Sequence, residues 1–88
     1  MIYLYGGTNH LDFIFNKYAF LKEKVTGIII SDEYQKEECS LPIYHLSEVV
    51  LSSDIGIILV MARQSACLVK NKLLKIGFEN ILACLYAD

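Results

Sequence analysis

The sequence predicts an α/β fold built on a five-stranded parallel sheet in the order 3-2-1-4-5. Two observations point there. Short apolar runs alternate along the chain with segments of helical period, the pattern of parallel strands joined by crossover connections. The hydrophobic share is 55% of only 88 residues, with a mean hydropathy of +0.41. Strands covered on both faces, and therefore apolar on both sides, account for that share. Right-handed crossovers then favour the order 3-2-1-4-5 as the simplest arrangement.

Ile2 to Tyr5 reads as the first strand, ending at Gly6-Gly7. From about residue 9 the period becomes helical: Leu11, Ile14, Phe15, Tyr18 and Leu21 share one face. Asn9 stands as N-cap, with Asp12 three positions on, close to a capping box. "VTGIIIS", Val25 to Ser31, is a second strand rich in β-branched residues, and Asp32-Glu33 follows it. Residues 33–41 are polar and charged and read as a solvated loop or a weak helical turn.

"PIYHL" reads as a short strand, placed near a sheet edge by Pro42. "SEVVLSS" predicts a brief helix with Ser47 as its N-cap. Ile55 to Ala62 is the most hydrophobic run and reads as a central strand. A last helix is expected over about Gln64 to Ile76, with Ala66, Val69, Leu73 and Ile76 on the sheet. Gly77 then serves as its C′ residue and Phe78 packs back. "NILACLY" is the final strand. Together these elements predict a single Rossmann-like three-layer sandwich over residues 1–88.

No apolar run approaches the roughly 18 residues of a membrane helix, so a membrane partner is not expected. The net charge of −2 and pI near 5.6 lack the clustered basic surface that nucleic acid calls for. Cys39, Cys67 and Cys84 form no C-x-x-C pair and read as reduced thiols of a cytoplasmic protein. There is no metal-ligand spacing, Walker motif or Ser-His-Asp arrangement, so no catalytic residue is assigned. A phosphorelay receiver is set aside, because Gly6-Gly7 stands where its acidic pair would be.

In open α/β sheets, ligands bind beyond the carboxyl ends of the strands at the topological switch point. Here that selects Gly6, Gly7, Thr8, Asn9 and His10 after the first strand, and Asp32 and Glu33 after the second. The end of the fourth, Met61 to Gln64, lies alongside. Glycine backbone lets a phosphate or ribose approach a helix N-terminus; a tight turn with nothing bound needs the same glycines. Asp32, 26 residues after Gly6, is placed to hold ribose hydroxyls or simply closes a strand.

Thr8 and Leu11 occupy the second and third glycine positions of a G-x-G-x-x-G loop, and Asp12 sets a carboxylate where the helix dipole would favour phosphate. These departures predict a ligand held by its nucleoside end, or an empty loop. His10 borders this loop, and His45 reads as structural. Cys67 has Arg63 one turn before it but no base or second thiol in the pattern. Phe13 and Phe20 lie seven apart, roughly opposite the core stripe of the first helix, and Leu68 is outward on the last one. They suggest a surface covered by a homodimer partner or another domain, or else are ordinary surface hydrophobics or a second buried face of a rotated helix.

The pieces "IYLYGG", "VTGIIISDE", "LPIYHLSEV" and "LLKIGFENIL", in this order, resemble the small Rossmann-like N-terminal domain of bacterial polysaccharide-biosynthesis proteins. Such domains precede sugar acyltransferases of the pilin-glycosylation type, nucleoside-diphosphate-sugar dehydratases, methyltransferases and glycosyltransferases. The resemblance implies a nucleotide-sugar (a UDP-sugar) or NAD(P) at Gly6, Gly7 and Thr8, with Asp32 toward the ribose or base. It also implies a module that is not catalytic by itself and forms the front part of a longer transferase or dehydratase.

Overall fold

A computed structural model describes residues 1–6, 11–36 and 40–85. The elements run β1 (Ile2–Tyr5), α1 (Leu11–Lys17), α2 (Leu21–Lys24), β2 (Val25–Ile30), β3 (Ile43–His45), a 3-10 turn (Leu46–Glu48), β4 (Gly56–Val60), α3 (Arg63–Ile76) and β5 (Asn80–Leu85). The five strands form one sheet in the order β3-β2-β1-β4-β5, and every pair is parallel. The predicted α/β fold and its strand order are therefore what the chain adopts.

Strand alternation divides the core. Tyr3, Tyr5, Ile29, Ile57 and Leu59 cluster with Ala66 and Leu73 of α3 and with Phe78. Their chain neighbours Leu4, Ile28, Ile30, Ile58 and Val60 cluster with Ile14 of α1 and Leu21 of α2. Each interior strand thus spends both of its side-chain rows on apolar packing, the physical reason for the high hydrophobic share. No polar or charged residue among those described is buried.

Three local expectations are corrected. The first helix is split, because Leu21 and Lys22 bond back to Tyr18 and Ala19, three residues away, instead of continuing the four-residue ladder. Nothing in "YAF" marks this break, which carries neither glycine nor proline. The segment after β3 is a 3-10 turn rather than a helix, and His45, not Ser47, is its N-cap. Glu48 closes the capping box from the other side.

On α3, Ala66 and Leu73 are buried, whereas Ile76 is 43% exposed. Gly77, at φ +123°, reverses the chain, and the N–H groups of Gly77 and Phe78 both bond to the carbonyl of Leu73. That stop returns Phe78 into the core in place of Ile76.

Candidate functional site

The carboxyl ends of β1 and β4 lie side by side, with Tyr5 paired to Leu59, so the switch point opens where Gly6 leaves the sheet. Gly6 has φ +78°, and a Cβ there would sit 3.1 Å from the Val60 carbonyl oxygen. Its N–H donates to the carbonyl of Ile29 at 2.9 Å. Both the left-handed backbone and the close approach of β4 demand glycine, independently of any ligand. Beneath it, the Tyr5 hydroxyl shares a 2.8 Å hydrogen bond with Ser31 Oγ, tying the ends of β1 and β2. Gly7, Thr8, Asn9 and His10, along with Cys39, lie outside the described residues.

Asp32 and Glu33 are both exposed at the end of β2. Asp32 is already engaged: its Oδ1 accepts the N–H of Ser47 at 3.1 Å. That donor, with help from the Ser47 hydroxyl and the charges of His45 and Lys72, holds the carboxyl below its ordinary value. The acid predicted to meet a ribose therefore also clips the end of β2 to the turn after β3.

Two further ties, which residue types alone did not reveal, lie next to it. Glu48 Oε1 accepts from the Lys36 ammonium at 2.6 Å and from the His45 N–H at 3.2 Å. Its carboxyl is held low, chiefly by Lys36 and next by the His45 backbone. The His45 ring meets Glu48 Oε1 through Nδ1 at 3.0 Å and the Tyr34 carbonyl through Nε2 at 2.7 Å. The H-x-x-E spacing of His45 and Glu48 was the available signal.

On the β4 side, Met61 is half-buried, while Arg63 and Gln64 are exposed at the start of α3. Cys67 is exposed and Cys84 half-buried, both as free thiols. Among the described residues, no group of three or more His, Cys, Asp or Glu could hold a metal ion. No helix among them is long and apolar enough to cross a membrane.

The structure thus gathers Gly6, Asp32 and Glu33 at the carboxyl end of the sheet. Phe13 on α1 and Phe20 in the turn before α2 are 54% and 60% exposed. Lys17 lies over the Phe13 ring at 5.8 Å and over that of Tyr18 at 5.6 Å, short enough for cation–π attraction. In comparisons with protein-family models, with curated proteins and with solved structures, nothing matches this chain.

Proposed function

We propose that the chain is a nucleotide- or nucleotide-sugar-binding module, not catalytic by itself, serving bacterial surface-polysaccharide biosynthesis in the cytoplasm. The observation that carries the reading is the position of Gly6 and the exposed Asp32 together at the switch point of a parallel 3-2-1-4-5 sheet. That is where such sheets bind ligands. The polysaccharide assignment and the choice between a UDP-sugar and NAD(P) rest on the sequence resemblance.

A thermal-shift titration with UDP, UDP-N-acetylglucosamine, NAD, NADP and acetyl-CoA tests it. A ligand at a hundred times its dissociation constant adds about 2.7 kcal/mol, several degrees for a domain of this size. We expect a shift with the UDP compounds that Asp32→Ala abolishes. Asp32→Asn, which keeps an acceptor for the Ser47 amide, separates loss of ligand contact from loss of the β2–β3 clip. Flat curves for all five ligands would overturn the reading.

The exposure of Phe13 and Phe20 favours a second reading, an interaction module with an empty site that docks or dimerises through the first helical segment. Under it, Phe13→Ser with Phe20→Ser yields a monomer. An oligomeric state unchanged by that pair sinks it.

A further inference from the structure

We propose that the outer edge of β5 is a self-pairing surface, on which a second copy of this chain adds its own β5 antiparallel across a twofold axis. The two edges of the sheet are unlike. β3 is three residues long and follows Pro42, two devices that blunt an edge. β5 runs six residues, NILACL, with no proline and no charge, and no other strand among the described residues pairs with its outer side. Its edge therefore offers main-chain donors and acceptors to another extended strand, without like-charge repulsion between copies.

The register within β5 selects a copy of itself. The pairing with β4 slips between Ile57 and Ile58, so that Ile81 faces Ile57 and Ala83 faces Ile58, leaving Leu82 as the extra residue. Leu82 covers Gly56, where a Cβ would meet its side chain at 2.5 Å, and remains 55% exposed. Ile81 and Cys84 pack together against the core cluster that contains α3, whereas Leu85 packs on the opposite one. The carbonyl of Leu85 accepts from Met61 N–H, so Leu85 turns its main chain toward β4 and alternation turns that of Cys84 outward. The extra residue at Leu82 resets this alternation and turns Ile81 outward as well.

A twofold axis between Leu82 and Ala83 sets each Cys84 opposite the Ile81 of the second copy. Both members of that pair face outward with their main chains and share one face with their side chains. Each such pair exchanges two hydrogen bonds in an antiparallel ladder. The same axis sets Leu82 against Ala83, apolar and on the other face. Parity of hydrogen bonding and parity of face agree in one self-complementary register, as an isologous contact requires.

Sedimentation equilibrium of the 88-residue chain, from about 1 μM to about 1 mM, tests this, together with backbone amide exchange at the two ends of that range. We expect a reversible monomer–dimer equilibrium and slower exchange at Ile81 and Cys84 as concentration rises. Ala83→Lys places a charge at the axis, and Cys84→Pro removes an outward N–H without touching the ladder to β4. Each should weaken the dimer about tenfold or more. Phe13→Ser with Phe20→Ser should leave it unchanged. A chain monomeric throughout, association that spares Ile81 and Cys84 from protection, or loss of the dimer in the phenylalanine pair alone would each overturn the proposal. The exchange measurement needs no substitution, so it decides even if an edge variant unfolds, and nucleotide titration does not enter it.

Discussion

At the scale of single residues, Gly6 and Asp32 carry the sharpest expectations. Gly6→Ala forces a side chain into left-handed backbone, against a carbonyl oxygen 3.1 Å away. A loss of about 1–3 kcal/mol in urea unfolding is expected even without ligand. Asp32 and Glu48 both titrate below their ordinary values, because the folded chain supplies the Ser47 amide to one and the Lys36 ammonium to the other. Lowered carboxyl pKa values add stability that is full above the ordinary range near about 4 and fades as pH falls through the folded values. Urea midpoints should therefore decline on acidification below about pH 5, and the decline should flatten in Asp32→Asn combined with Glu48→Gln. Exposure of both carboxyls keeps the effect small and dependent on salt.

At the scale of elements, α3 gives the cleanest contrast. Leu73 is fully buried and Leu68 is exposed on the same helix. Leu73→Ala should cost about 2–5 kcal/mol, and Leu68→Ala should stay within about 0.5 kcal/mol, as read by denaturant midpoints. This contrast follows the periodicity of "RQSACLVKNKLLKI", and the strands were just as legible, since each interior run is apolar on both sides. What the sequence left hidden depends on contacts across distance. The exposure of Ile76 follows from Phe78 folding back beneath it, and the engagement of Asp32 follows from Ser47, a neighbour only once β2 and β3 pair. The split of the first helical segment has no residue signal at all. Of the candidate site, glycine at position 6 and an acid after β2 were readable; the partners of that acid were not.

At the scale of the whole molecule, the sheet is held unevenly. β1, β2 and β4 carry most of the fully buried side chains, while no helix among the described residues links β2 to β3. In place of a crossover helix, β3 is secured by three paired residues, by the tie from Tyr34 to His45 and by those from Asp32 and Lys36 to the turn that follows it. Those ties are exposed and partly ionic, and acid or salt weakens ionic contacts far more than it weakens an apolar core. Peeling of β3 is thus expected as a low-cost partial opening. In mild acid with added salt, its amides should exchange by a subglobal route while those of β1 and β4 still wait for complete unfolding. Such an opening would uncover the flank of β2 and give the blunted side of the sheet, for brief intervals, an unprotected edge of its own.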